Sequence, residues 1–365
     1  MAAKPSGPIR VGILGQGRSG LDIHARWFNQ SPRKYKIVAI ADLLADRRQR
    51  AESELGCQTH ADHRDLLARD DIELVVNALP SHLHPPVTIA ALEAGHHVVS
   101  EKPLSWSVAQ LDRMIQTART ARRSLFPFQQ SRYAAHFQKL LALLDSGVLG
   151  RIVQINVAYN GYARRWDWQT VQEYRGGNLL NTGPHPMDQV MRLLDFKKPD
   201  KILCVMDRAN TMGDAEDHVK ILLKSRNRPT IDVEISSCCA YPGDMFQVFG
   251  TQGGLTGGPS GLKWRYFKPE AAPEQALVRN SLPGPSYCRE DLKFTEKSWQ
   301  PSKQQQNSFG FMSKSFYDQI HKVLRQGDKP HITPQQVRTQ IAVIEECHRQ
   351  NRLSKLPRQG WPTNA

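Results

Sequence analysis

The sequence predicts two domains: a doubly wound α/β domain with a parallel sheet over residues 1–125, and an α+β domain with a mostly antiparallel sheet over residues 126–365. Three observations lead there. Apolar runs alternate with helical stretches as far as residue 125, the first run closes on a glycine-rich turn, and from residue 152 strand-like runs follow one another. A chain of 365 residues exceeds what one core usually serves, and its 39% hydrophobic share is enough for two.

Ile9 to Leu14 is an apolar run that ends in GQGRSG, which sets Gly15, Gly17 and Gly20 in the spacing GxGxxG. A second run, Tyr35 to Ala41, ends at Asp42, about twenty residues beyond the last glycine, as a dinucleotide fingerprint requires. Gly15 allows the tight turn, Gly17 lets the backbone approach a pyrophosphate, and Gly20 lets the helix from Leu21 pack closely on the sheet. The pyrophosphate would meet that helix at its positive end, so Arg18 and Ser19, between the glycines, join them as cofactor-binding candidates. Asp42 would hydrogen-bond the ribose hydroxyls and repel a 2′-phosphate, which favours NAD over NADP. Arg47 and Arg48 weaken that preference without reversing it, because they fall in the next helix.

Glu73 to Leu79 is a third strand ending at Pro80, and SHLHPPVTIAALEAG supplies a helix whose start Pro85 and Pro86 mark. The next strand closes in AGHHVVSEKPL. Pro103 forbids further central pairing and pushes Lys102 towards an extended backbone. Ligands lie at the carboxyl ends of strands in an open parallel sheet, so Lys102 would stand at the mouth of a crevice with Glu101 beside it. Taken alone, an exposed EKP turn is the plainer reading. Trp106, Leu111, Met114, Ile115 and Ala118 then share a helical face, and Ser124 to Phe128 forms a fifth strand.

The second domain opens with a helix from Tyr133 to Ser146. Strands are expected at Ile152–Tyr159, Lys201–Met206, His218–Leu223, Thr230–Cys238, Met245–Phe249 and Leu262–Phe267. Residues 268–307 are rich in Pro, Ser, Gln and charge and read as a long irregular excursion. Two helices close the chain, one from Ser308 to Arg325 and one with Thr333 as N-cap, Pro334 at N1 and Gln336 completing a capping box. Val337, Ile341 and Ile344 give the last helix its buried face.

The net charge of +14 raises the question of nucleic acid. The excess lies mostly in the second part: 17 basic and 13 acidic residues up to residue 125, then 32 and 22. It is scattered, with no basic helix or zinc-finger spacing, so nucleic-acid binding is not expected. No run approaches the roughly 18 apolar residues of a membrane helix, and the first strand starts too early for a secretory signal. Six cysteines without CxxC spacing fit reduced thiols, and a cytoplasmic location is expected. His82, His84, His96 and His97 lack partners at ligand spacing, so no metal site is expected.

Between the first two strands of the second domain lies GYARRWDWQTVQEYRGGNLLNTGPHPMDQVMRLLD. Gly176 and Gly177 permit a close-packed backbone. Asn181 and His185, four apart, would share one face of any helical turn, and Asp188 falls on the same side. With these residues in hand the chain resembles the glucose-fructose oxidoreductase and inositol dehydrogenase family. The resemblance rests on the three glycines, Pro80 with His84, the AGHHVVSEKP run, the Gly176–Gly177 pair and the Gly183 to Asp188 segment. It covers nearly the whole chain in order. It implies an N-terminal Rossmann domain, a C-terminal domain with a large open sheet, and NAD- or NADP-dependent oxidation or reduction of sugars, inositols and related polyols. It further implies a cofactor site that includes Pro80, His84, Glu101 and Lys102, and a homodimer or homotetramer formed through the C-terminal sheet. The family's lysine maps to Lys102 and the histidine of its Asp-x-x-x-His pair to His185. The aspartate position holds Asn181 here.

A mechanism follows for a secondary alcohol oxidised by NAD. His185 would take the hydroxyl proton, and Lys102 would hydrogen-bond the reacting oxygen. Asn181 could orient His185 through its carbonyl oxygen without supplying charge, and Asp188 is the reserve candidate for the base. Trp166 and Trp168 could stack on a sugar, or pack a strand end. Arg164 and Arg165 could hold an anionic substrate group. The alternative to net hydride transfer is redox-neutral elimination or hydrolysis of a glycoside with tightly held NAD. A nucleotide-sensing binding protein is the non-enzymatic reading.

Overall fold

A computed structural model describes residues 7–282, 284 and 286–357. Six strands, β1 (Ile9–Leu14), β2 (Tyr35–Ala41), β3 (Gln58–His60), β4 (Leu74–Asn77), β5 (His97–Ser100) and β6 (Leu125–Pro127), form a parallel sheet in the order β3-β2-β1-β4-β5-β6. That order is the doubly wound dinucleotide-binding arrangement, with its switch point between β1 and β4. β1 and β4 are nearly fully buried, as strands covered by helices on both faces must be. The sequence reading finds five of the six strands. It misses β3, whose three residues, QTH, carry no apolar signal.

Eight further strands follow: β7 (Ile152–Asn160), β8 (Lys201–Asp207), β9 (His218–Lys224), β10 (Thr230–Ser236), β11 (Phe246–Gly250), β12 (Gly253–Gly258), β13 (Gly261–Tyr266) and β14 (Thr295–Trp299). They make one sheet in the order β14-β13-β12-β11-β7-β10-β9-β8, antiparallel except where β10 runs parallel to β7. β12, GGLTGG, has no strand propensity of its own. Gly253 and Gly257 are required because neighbouring backbone takes the space of a side chain: at Gly257 φ is +139° and a Cβ would run into Gly261. β14 is a polar edge strand and, with the short helix Lys303–Gln306, gives the expected excursion more order than composition suggested.

One face of the large sheet packs on the helices Ala135–Asp145, Pro184–Leu193 and Pro334–Gln350, while Leu203, Val205, Leu222 and Phe249 stand exposed. The capping box forms as expected: Thr333 accepts from the Gln336 amide and Gln336 Oε1 accepts from the Thr333 amide at 3.1 Å. The closing helices serve both cores. Phe316, Tyr317 and Ile320 of Ser308–Gln326 pack with the first sheet, and Val343, Ile344 and Cys347 of the last helix with the second. The helix after the glycine turn begins with wide turns over Ser19–Ala25, the Arg26 amide reaching back to Leu21, before a short α-helix, Arg26–Asn29.

Candidate active site

The cofactor candidates gather at the carboxyl ends of β1, β2, β4 and β5. Gly15 has φ +89°, and a Cβ there would lie 2.8 Å from the Ala78 carbonyl oxygen. A Cβ at Gly20 would collide with the Gly15 carbonyl, so the third glycine closes the turn on itself. At Gly17 the nearest group to a built Cβ is the Arg47 guanidinium at 3.7 Å. That open backbone is what a pyrophosphate needs to approach, and the site fits a dinucleotide on this ground. Ser19 is half-buried and Arg18 exposed beside it.

Asp42 ends β2 and is committed to the turn. Its Oδ2 accepts from the Gln16 amide at 2.6 Å and its Oδ1 from the Leu44 amide at 2.9 Å. Arg47 and Arg48 do belong to the next helix, Ala45–Leu55, yet both turn back. Arg47 Nη1 lies 3.4 Å from Asp42 Oδ2, and Arg48 Nη1 donates to the carbonyls of Asp42 and Leu43. The acid therefore sits in a more cationic setting than its place in the sequence implies.

Pro80 opens the turn after β4 and precedes the helical turn Ser81–Leu83. His84, expected at the cofactor, is 2% exposed, with Nδ1 2.8 Å from the Pro103 carbonyl and Nε2 2.7 Å from the Leu79 carbonyl. It staples the β4 and β5 turns together instead of facing a ligand. Glu101 is likewise buried, at 4% exposure, and accepts from the Lys102 amide at 3.0 Å and contacts His24 Nε2 at 3.1 Å. Those donors hold its carboxyl down to about 2 against the opposing effect of burial.

Lys102 follows in the EKP turn, whose Lys102–Pro103 peptide is cis. Its Nζ donates to Asn181 twice, to the backbone oxygen at 2.9 Å and to Oδ1 at 3.2 Å. This corrects the sequence reading, in which Asn181 serves His185: the asparagine is a ligand of the lysine. Burial lowers the Lys102 pKa, the Glu101 charge raises it, and Arg18 and Arg165 lower it further. His185 stands on the next helix, Pro184–Leu193, because the backbone breaks after Asn178–Asn181 instead of running as one helix. Its ring is half-buried, with Nδ1 out of solvent and without a hydrogen-bond partner. Burial first, then the Lys102 charge, push it down to about 3, so the imidazole is neutral.

Asp188 does not join this group. It is 1% exposed, and both oxygens are taken by Arg132, Nε to Oδ2 at 2.9 Å and Nη2 to Oδ1 at 2.6 Å. A carboxylate so paired is a structural anchor and not a reserve base. Gly177, φ +106°, is needed because a Cβ would collide with the Glu216 carboxylate, which caps the following turn through the Leu179 amide. Trp166 is 77% exposed and Trp168 half-buried. Asp167 between them is held by Arg165 at 2.8–2.9 Å, and Arg164 is exposed. Arg165 also bonds Gln169 and is among the charges that lower the Lys102 pKa.

Sequence reasoning misses several groups here. Arg175 lies over the Trp106 ring at 4.6 Å and Tyr174 against His82 at 5.3 Å, so the turn before the glycine pair touches the first domain on two sides of the EKP stretch. His24 and Tyr317 are also missed. The only available signal was a lone polar residue on an apolar helical face, which structural histidines share. A cavity of about 600 Å³ between Trp27, Lys34, Phe311 and Lys314 holds none of the candidate residues.

Comparison with known proteins is specific at the level of family. Residues 9–128 match the family described as "Oxidoreductase family, NAD-binding Rossmann fold", and residues 137–256 match its "GFO/IDH/MocA C-terminal domain". The chain is 27% identical over 252 residues to a myo-inositol 2-dehydrogenase of Thermotoga maritima, covering 67% of this chain and 74% of that one. It is 26% identical over 259 residues to a 2,7-anhydro-N-acetylneuraminate hydratase of Mediterraneibacter gnavus, covering 68% and 66%. In fold it is similar to the WlbA dehydrogenase of Bordetella pertussis, solved with NADH and UDP-GlcNAcA, with a TM-score of 0.75 at 22% identity over 96% of this chain and 99% of that one.

Proposed function

The chain belongs to the GFO/IDH/MocA family of NAD-binding oxidoreductases, and from that premise we propose that it transfers a hydride between NAD and a hydroxyl-bearing carbon of a sugar, inositol or glycoside. The observation that carries this reading is a half-buried lysine at the carboxyl end of β5 whose amine is held by Asn181, with the unpartnered His185 imidazole on the helix that follows Asn181 and an open glycine turn at the end of β1. The glycine turn and Asp42 would hold the dinucleotide, which supplies the hydride acceptor when bound. Lys102 donates a hydrogen bond to the reacting oxygen and stabilises negative charge as the proton leaves. His185, neutral and with an unpartnered Nδ1, accepts that proton. Asn181 holds the Lys102 amine in place through two oxygens. Trp166, Trp168, Arg164 and Arg165 form the outer rim, where a sugar ring or an anionic substituent would be met.

The hydratase among the relatives supports a second reading, redox-neutral elimination or hydrolysis with NAD retained. Incubation with a panel of sugars, inositols and glycosides separates the two. Net NADH supports hydride transfer as the overall reaction, product without net NADH supports the second reading, and binding of NAD without turnover of any substrate counts against both. The exposed apolar side chains on the large sheet, Leu203, Val205, Leu222 and Phe249, favour a homodimer or homotetramer formed through that face. The six cysteines, none of them in a disulfide, fit a reducing compartment such as the cytoplasm.

A further inference from the structure

The two outermost strands of the large sheet are protected in different ways. β14, at one end, is TEKSW, polar and charged, which is one means by which an edge strand avoids pairing with another chain. β8, at the other end, has no such protection in its own sequence. Ile202 to Met206 is an apolar run without charge, proline or glycine, and the strand pairs with β9 in unbroken register from Lys201 to Asp207. Leu203 and Val205 stand 61% and 57% exposed on its outer face. A straight apolar edge strand of this kind is a ready template for another strand.

The template is occupied, but by side chains. The last helix ends beside β8, where Gln350 and the following Asn351 turn their amides onto the strand's backbone. Gln350 Nε2 donates to the Ile202 carbonyl at 2.9 Å, and its Oε1 accepts from the Cys204 amide at 2.9 Å. Asn351 Nδ2 donates to the Cys204 carbonyl at 3.0 Å, and its Oδ1 accepts from the Met206 amide at 3.1 Å. Alternate residues of an antiparallel strand turn both backbone groups to the same side, so Ile202, Cys204 and Met206 are the ones facing away from β9. A carboxamide offers a donor and an acceptor, as a peptide group does, and the two side chains therefore bond β8 as a neighbouring strand would. Both are braced at the helix end, Asn351 Nδ2 donating also to the Cys347 carbonyl at 2.9 Å and Gln350 Nε2 to Glu346 at 2.8 Å.

The strand under this seal is complementary to itself. In an antiparallel pair of two β8 strands centred on Cys204, the Cys204 amide and carbonyl of each copy meet those of the other, and Ile202 meets Met206. Lys201 of each copy then stands opposite Asp207 of the other, and both side chains are exposed on the face that carries Leu203 and Val205. We propose that the β8 edge is a pairing surface for the same strand of a second copy of this chain, and that Gln350 and Asn351 hold it shut. This pairing is separate from assembly through the outer face of the sheet, which uses side chains and not backbone, and it owes nothing to the chemistry at Lys102 and His185.

The full chain carrying Gln350→Ala and Asn351→Ala tests this with no substrate or cofactor present. In dilute solution, residue-resolved hydrogen exchange should show the Cys204 and Met206 amides exchanging about a hundredfold faster than in the unmodified chain, while those of Leu203 and Val205, on the β9 side, keep their protection. As the concentration rises, light scattering should show a mass about twice that of the unmodified chain at the same concentration. Adding Asp207→Lys brings like charges together at both ends of the pair and should weaken the added association by roughly tenfold, and Lys201→Asp beside it should restore it. Unchanged exchange at Cys204 and Met206 in the folded double variant overturns the seal. Faster exchange without added association at any concentration overturns the pairing surface, as does added mass that ignores the charge exchange, the mark of unspecific aggregation. Should the double variant not fold, Gln350→Ala alone frees Ile202 and Cys204 and leaves the Asn351 bonds in place, and unchanged Cys204 exchange there overturns the seal.

Discussion

The two walls of the crevice are built on different principles. The wall at the ends of β1, β2 and β4 is largely backbone: a turn closed by Gly15 and Gly20, and an aspartate bound to the amides of Gln16 and Leu44. The facing wall is made of side chains from separate places in the chain, with Lys102 on the EKP turn, Asn181 at the end of one short helix and His185 at the start of the next. A backbone wall has no room to adjust, so damage to it should appear as loss of binding. A side-chain wall can lose a group and keep its shape, so damage there should appear in turnover and in pH dependence.

The largest effect is expected at Gly20. A Cβ there meets a carbonyl oxygen of the same turn, which cannot move without opening the glycine loop. Gly20→Ala should weaken NAD binding by about a thousandfold, or beyond detection, as the loss of roughly 4 kcal/mol would. Calorimetric titration with NAD measures it, and near-native affinity would mean the turn is not the cofactor cradle. Next comes Lys102→Ala, which should lower turnover by roughly a hundredfold or more with little change in NAD affinity, as for one lost oxyanion donor. Equal losses in both would move Lys102 to the cofactor's wall. Asp42→Ala should have a smaller effect, narrowing the preference for NAD over NADP by about tenfold, since a repulsive charge goes while Arg47 stays close by. Dissociation constants for the two cofactors decide that, and tighter NADP binding by the unmodified chain would reverse the assignment of Asp42.

The same contrast governs what can be read from the sequence. Gly15, Gly17, Gly20 and Asp42 are legible because their constraints are local: a turn, a close approach and a strand end leave fixed spacings. Lys102 is legible for the same reason, through Pro103. Asp188 is placed on the His185 side by helical spacing, but spacing does not see Arg132, fifty-six residues away, which takes both its oxygens. His24 is hidden for a parallel reason, since its partners, Glu101 and Tyr317, are 77 and 293 residues distant. His84 looks like a ligand residue and is a staple, because its two carbonyl partners become neighbours only after folding. In the second sheet, β12 is missed because its glycines report on packing between strands and not on propensity.

Asn181 is where the sequence reading and the structure part most usefully, and Asn181→Asp tells them apart. Read from spacing, residue 181 serves His185, and an aspartate would stabilise the imidazolium. The acid limb of kcat/KM, where the base becomes protonated, would then move to higher pH. In the structure both Asn181 oxygens hold Lys102 Nζ. A carboxylate there favours the ammonium, raising the pH at which Lys102 loses its proton, so the alkaline limb should move up, by about one unit. His185 starts at about 3, far below neutrality, and is lowered by the Lys102 charge that the new carboxylate would offset. Its protonation therefore also moves upward, but from so low a value that the imidazole remains neutral through the ordinary assay range. The expected result is an activity profile extended on the alkaline side with its acid side little changed above pH 5, measured as kcat/KM with the substrate found in the panel. Movement of the acid limb alone would return Asn181 to His185. It would also make the hydrogen bonds to Lys102 incidental to the reaction.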